Sequence, residues 1–130
     1  MNARTPEEER NLAFATEAYS RVLTRFDPTE IDRYFAIDYV QHGSLAADGR
    51  EGLRTFIEQA RCDFPDAKIE IVRSFVDGEF VIFHVRGQLA PAQPVAAVVD
   101  MFRVGNGLIQ EHWEVIQELP TALPHRNGSF

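Results

Sequence analysis

Three polar side chains interrupt three successive apolar runs in the second half of the chain. His84 lies in Val81-Ile82-Phe83-His84-Val85-Arg86 and Asp100 in Val98-Val99-Asp100-Met101-Phe102-Arg103. His112 lies in Ile109-Gln110-Glu111-His112-Trp113-Glu114-Val115-Ile116. Apart from these residues, each run reads as a buried strand. An acid in such a run needs a partner, because an unpaired polar group in apolar surroundings is costly. Three interruptions in consecutive strands point to a polar cluster inside an apolar cavity, the layout of a small-molecule acid/base site. A carboxylate beside an imidazole favours the imidazolium, while burial disfavours it. Such a pair is poised near neutral pH to carry a proton to or from a substrate carbon. A second histidine would donate a hydrogen bond to a carbonyl oxygen as it becomes an enolate. His42, in Tyr39-Val40-Gln41-His42-Gly43, is a fourth candidate.

Helices precede strands along the chain, which predicts an α+β domain rather than alternating βαβ units. Thr5-Pro6-Glu7-Glu8 has the capping residue, proline and returning glutamate of a helix start. Leu12, Ala15, Tyr19, Val22, Leu23 and Phe26 then keep a helical period. Asp27-Pro28-Thr29-Glu30 opens a short second helix with Ile31, Tyr34 and Phe35 inward. A third helix is predicted from about Arg50 to Asp63 and ends before Pro65. Strands are predicted over Lys68 to Val76, Glu79 to Leu89, Val95 to Val104 and Leu108 to Glu118. Residues 119–130 form a turn-rich tail, and one domain spans 1–130.

Sheet pairing converts this spacing into geometry. If Gly105-Asn106-Gly107 is a three-residue turn, Val104 faces Leu108 and Asp100 lies opposite His112. If the turn has two residues, Asp100 faces Trp113 and His112 changes sides, because a slip of one residue reverses the face. A loop centred on Ala92 places His84 opposite Asp100. Under the first set of choices His84, Asp100 and His112 form one cross-strand row, with Glu114 on the same face. Ile109, Trp113 and Val115 then lie on the other face. That face needs cover, which predicts a two-fold dimer through the sheet, with the tail draped over the partner or the pocket mouth.

Composition narrows the partners. The 130 residues are 45% hydrophobic, enough for one domain with a real core. A net charge of -7 disfavours nucleic acid and anionic membrane surfaces. A single cysteine, Cys62, allows no internal disulfide, and no apolar run is long enough to span a bilayer. The polar start, Met1-Asn2-Ala3-Arg4, lacks the apolar core of a secretion signal, so the expected location is cytoplasmic.

Tyr39-Val40-Gln41-His42, Ala47-Asp48-Gly49-Arg50-Glu51-Gly52-Leu53 and Asp100-Met101-Phe102-Arg103 through Glu111-His112-Trp113-Glu114 resemble SnoaL-like proteins of the nuclear transport factor 2-like superfamily. The resemblance implies a cone-shaped α+β fold, in which N-terminal helices pack on a curved, mostly antiparallel sheet that encloses a pocket. It also implies polyketide cyclase chemistry, an intramolecular aldol condensation run by an acidic residue without cofactor or metal. Ketosteroid isomerase, scytalone dehydratase and limonene epoxide hydrolase share that fold. The chain departs from the group at Glu114, where aspartate is frequent. A glutamate is longer by about one bond, enough to displace a reacting carboxyl.

The expected catalytic set is therefore Asp100, coupled to His112, with His84. The expected substrate contacts are His42, Glu114, Trp113, Tyr19 and Tyr34. The plain alternatives are core or dimer filler for Trp113, helix core with a polar tip for Tyr19 and Tyr34, and a solvated strand position for Glu114. Three histidines and two carboxylates can make a transition-metal set, but there is no His-Glu-x-x-His spacing, and no metal or cofactor is expected. The predicted ligand is a small, mainly apolar carbonyl compound. The rival expectation is a non-catalytic pocket or dimerisation protein of the same fold.

Overall fold

The computed structural model describes residues 3–130. Helix α1 (Pro6–Ala18) begins as its sequence dictates. The Glu8 amide donates to the Thr5 hydroxyl, the Thr5 amide donates to Glu8 Oε1, and Pro6 occupies the first turn. The helix does not stop at Ala18. It widens into a π-helical turn over Tyr19–Thr24, and the Asp27 amide donates to the carbonyl of Val22, five residues back. Ala15, Ala18, Tyr19 and Val22 are all buried, so one stripe runs unbroken through the change of winding.

A 3-10 turn (Pro28–Glu30), held by Asp27, leads into the short α2 (Ile31–Tyr34). The chain then passes directly into β1 (Phe35–Gln41). The sequence reading expected Phe35 on a helix and no strand here. The burial of β1 explains why: Phe35 and Ala36 are both buried, Ile37 and Asp38 both exposed, so the period of two is broken. Helix α3 (Gly49–Asp63) starts at Asp48, whose carboxylate accepts from the amides of Gly49 and Gln41, and it buries Leu53, Ile57 and Ala60.

Strands β2 (Lys68–Asp77), β3 (Phe80–Gln88), β4 (Ala96–Gly105) and β5 (Leu108–Glu118) follow the predicted segments closely. The sheet order is β1-β5-β4-β3-β2, with β1 parallel to β5 and every other pair antiparallel. The helices pack on one face, where Val81, Phe83, Val85, Phe102, Val104 and Ile109 meet Tyr19, Val22 and Ile57. The result is an α+β cone with its core between helices and sheet. Among the described residues, no helix is long and apolar enough to cross a membrane.

The β4–β5 hairpin sets which side chains face inward. Its turn has two residues, Asn106 and Gly107, both at positive φ, and Gly105 pairs with Leu108. That length alone would have turned His112 outward. The register shifts by one residue between Arg103 and Val104: Val104 pairs with Ile109, and Arg103 pairs with Glu111, leaving Gln110 as the bulged residue. Beyond the bulge Asp100 pairs with Glu114 and Phe102 with His112. The expected register is therefore off by two residues, an even number, so Asp100 and His112 still share the inner face.

The bulge corrects one expectation. Ile109 was expected outside with Trp113 and Val115, but it is 1% exposed and sits in the core, whereas Val115 is 60% exposed. The contrast is measurable. Urea unfolding of Ile109→Ala should show a loss of about 2–5 kcal/mol, and Val115→Ala a clearly smaller one. Equal effects at the two positions would contradict the bulged register.

Candidate active site

A cavity of about 280 Å³ opens between the helices and the inner face of the sheet. Its walls are apolar: Leu23 and Phe26 from the N-terminal helical segment, Leu53 and Phe56 from α3, and Ile69, Val85 and Val98 from the sheet. Tyr19, Gln41, Asp100, His112 and Glu114 bring polar atoms to the same lining.

Asp100 and His112 are the buried charged or polar residues of the described core. His112 Nε2 pairs with Asp100 Oδ1 at 2.8 Å, and the Tyr19 hydroxyl donates to Asp100 Oδ2 at 2.7 Å. His112 Nδ1 pairs with Gln41 Oε1 at 2.8 Å, and the imidazole stacks on Phe102 with ring centres 4.6 Å apart. Each link has a local cause. The π turn begins at Tyr19 and carries its ring against Phe83 and Phe102. The Gln110 bulge turns His112 inward, and the parallel pairing of Gln41 with His112 brings β1 alongside. Burial raises the Tyr19 phenol well above its ordinary range, and Asp100 beside it pushes the same way, so Tyr19 stays a neutral donor.

Glu114 is half-buried on the same face. Its carboxyl is raised above the ordinary value, mainly by burial, with the charge of Asp100 adding to the rise. His112 and backbone hydrogen bonds from Leu45 and Ser44 oppose it. A side chain at Gly43 would put its Cβ 2.5 Å from Glu114 Oε1, so a larger residue there would oblige this carboxylate to move. Leu45 and Ala46 of that loop line the cavity.

The structure brings Tyr19, Asp100, His112 and Glu114 together and places the other sequence candidates elsewhere. His84 requires a correction. It pairs with Val99, while Asp100 pairs with Phe83, so His84 lies on the outer face, where Arg73 Nη1 donates to its Nδ1 and the Phe130 ring lies 5.4 Å away. The β3–β4 loop is centred between Pro91 and Ala92 rather than on Ala92, as the pairing of Gly87 with Ala96 requires, and one residue reverses the face. The contact of Phe130 also places the tail's end on its own sheet. His42 is likewise outside: it stacks on Trp113 at 5.0 Å and reaches Glu111 Oε2 at 2.5 Å. Trp113 shares that outer face, beside Phe80. Tyr34 is buried away from the cavity lining, and its hydroxyl donates to Glu17.

Gln41 and Tyr39 are site residues that the sequence reading passed over. Their signal was alternation: Tyr39 and Gln41 share one face of a strand while Val40 takes the other. One donor atom from each of Asp100, His112 and Glu114 lies within 4.8 Å of the others, a set that a divalent cation could use. In the observed arrangement His112 Nε2 and Asp100 Oδ1 are bonded to each other.

Glu114 makes the stability of the fold pH-dependent in a defined direction. Its folded-state pKa is raised, so its contribution is complete below the ordinary value of 4.5 and is lost as pH rises through the folded value. Glu114→Gln, which has no charge to bury, should gain stability relative to the parent chain as pH increases above that point. Urea midpoints measured across pH test this; curves that stay parallel would contradict it.

A sequence profile of the SnoaL-like domain matches residues 16–112. No curated protein matches the sequence significantly. Solved structures share the architecture at low identity. One is a protein provisionally called a SnoaL-like polyketide cyclase, from Jannaschia sp. CCS1, 17% identical over 89% of this chain and 91% of that one, with a TM-score of 0.75. Another is a protein provisionally called a ketosteroid isomerase, from Kribbella flavida DSM 17836, 21% identical over 93% and 87%, with a TM-score of 0.72. A third is an NTF2-like protein of unknown function from Mesorhizobium loti, 17% identical over 88% and 97%, with a TM-score of 0.72. These likenesses establish the fold, and the profile match, which spans most of the chain, establishes the family: the protein belongs to the SnoaL-like domain family.

Proposed function

We propose that the chain is an acid/base enzyme that works without metal or cofactor on a small, mainly apolar carbonyl compound. It removes a proton next to the carbonyl and so promotes aldol closure, isomerisation or dehydration. The observation that carries this reading is the Asp100–His112 pair, hydrogen-bonded at 2.8 Å in a cavity whose walls are mostly apolar. The cavity volume, about 280 Å³, lies just below the roughly 300–1,000 Å³ of most ligand pockets and suits a compact substrate.

Asp100 is the proton acceptor in this reading. Its oxygens keep free lone pairs after the bonds to Tyr19 and His112, so a substrate C–H can approach without breaking either. The proton leaves carbon for Asp100, the electron pair moves into the enolate, and the shared hydrogen bond to His112 spreads the change in charge. Tyr19 holds Asp100 in place, and Glu114, with its raised pKa, is a second carboxyl available to return a proton.

Deuterium wash-in tests this directly. α-Tetralone and a panel of β-diketones in D2O should exchange their α-protons faster with the protein than without it, followed by proton NMR. Asp100→Asn should reduce the catalysed rate by roughly 10²–10⁴-fold. Saturable binding of these compounds with no catalysed exchange by the parent chain would favour the pocket-protein alternative instead.

The outer sheet face supports a homodimer. Phe75, Ile82, Met101 and Trp113 form one cross-strand row, flanked by Val99 and Val115. Phe75 is 53% exposed and Val115 is 60% exposed. Sedimentation at micromolar concentration should give a dimer, and Val115→Glu should shift it to monomer. A parent chain that sediments as a monomer would contradict the dimer.

A further inference from the structure

We infer that Gln41 is the positioning residue of the proton-transfer pair: it fixes which nitrogen of His112 carries a permanent proton, leaving only Nε2 to exchange one with Asp100. This rests on the acid/base reading above but is tested independently of any substrate.

The Gly43 amide can only donate, and the Gln41 atom 2.8 Å from it must therefore be an acceptor, the amide oxygen Oε1. A flipped amide would set two donors against each other. The same Oε1 lies 2.8 Å from His112 Nδ1. An oxygen in that position meets either an N–H or a lone pair, and only the N–H is attractive, so His112 donates from Nδ1. The choice is thus propagated from a fixed peptide bond, through one side-chain oxygen, to the imidazole. Two further features hold it. Gly43 cannot take a side chain without meeting Gln41 Oε1 at 2.9 Å, and the imidazole plane is set by stacking on Phe102.

The consequence is directional. With Nδ1 always protonated, the imidazole gains or loses a proton only at Nε2, the nitrogen that faces Asp100 Oδ1. The opposite tautomer would place a fixed N–H against Asp100 and leave the labile site facing Gln41, away from the carboxylate. Neutral histidine in this site is therefore a proton acceptor toward Asp100, and histidinium returns that proton along the same line.

Long-range proton–nitrogen NMR of protein labelled with 15N-histidine reads the tautomer without a ligand. The parent chain should show His112 protonated at Nδ1. Gln41→Leu should lose that signature, with the Nε2–H form appearing, and Gln41→Glu, which restores an acceptor at the same distance, should recover it. A role confined to packing would not produce that rescue. Gln41→Met serves in place of Gln41→Leu if the latter does not fold. An Nε2–H tautomer in the parent chain, or an unchanged Nδ1–H signal in a folded Gln41→Leu or Gln41→Met protein, would overturn the inference. Catalysed α-exchange, where present, should fall by roughly 10²-fold in Gln41→Leu and return toward the parent rate in Gln41→Glu. A protein that keeps the Nδ1–H lock and its loss in Gln41→Leu but catalyses no exchange retains this inference and loses the enzymatic reading.

Discussion

A carboxylate buried in an apolar cavity is tolerable only if its oxygens are bonded, and the inner architecture of this protein is arranged around that requirement at Asp100. Oδ2 accepts from Tyr19 and Oδ1 pairs with His112, so both oxygens are engaged. Among the described residues, no sealed side-chain nitrogen or oxygen lacks a partner. Removing one member of such a set leaves an uncompensated charge or dipole, which costs more than the set contributes when intact. Three irregularities serve this one cluster. A π turn begins at Tyr19, a bulge at Gln110 turns His112 inward, and a broken alternation in β1 brings Gln41 to the cavity. Irregular backbone is concentrated where the chemistry is, as expected when local regularity is given up for function.

Electrostatics then separates roles among similar groups. Asp100 and Glu114 are neighbours across the β4–β5 ladder, yet their surroundings differ. Asp100 has a phenol and an imidazole as partners, whereas Glu114 faces the peptide donors of the 43–46 loop and is pushed toward its protonated form by burial. A bonded carboxylate and a second carboxyl of raised pKa beside one cavity are the ingredients of paired acid and base chemistry. The outer face of the same sheet carries an unrelated set, His42 on Trp113 and His84 with Arg73. Four histidines in the sequence thus divide between two faces and a tail, and only His112 reaches the cavity.

The sequence made the helix starts, the four later strands and the inward facing of Asp100 and His112 legible, because caps, turn residues and polar interruptions are local signals. It left β1 hidden, because Phe35 through Tyr39 does not alternate. The fate of His84 depended on where the loop of seven residues between β3 and β4 was centred, and a displacement of half a residue sent it to the other face. Asp100 and His112 came out on one face although the turn was shorter than expected, since the bulge restored the parity that the turn had removed. Ile109, on the turn side of that bulge, did not share the outcome. Parity in a sheet is a global property of turns and bulges, and no composition of a single strand reveals it. Gln41 was missed for a related reason: its importance lies in one hydrogen bond to β5, a contact across 71 residues.

If the pair acts as proposed, a single proton lies on the line between His112 Nε2 and Asp100 Oδ1, with Tyr19 donating to the other oxygen. Neutron diffraction from a perdeuterated crystal locates those protons directly. Nuclear density is expected for one deuteron between Nε2 and Oδ1 and for the Tyr19 deuteron aimed at Oδ2. Asp100 turned away from His112, or a water molecule separating them, would contradict it.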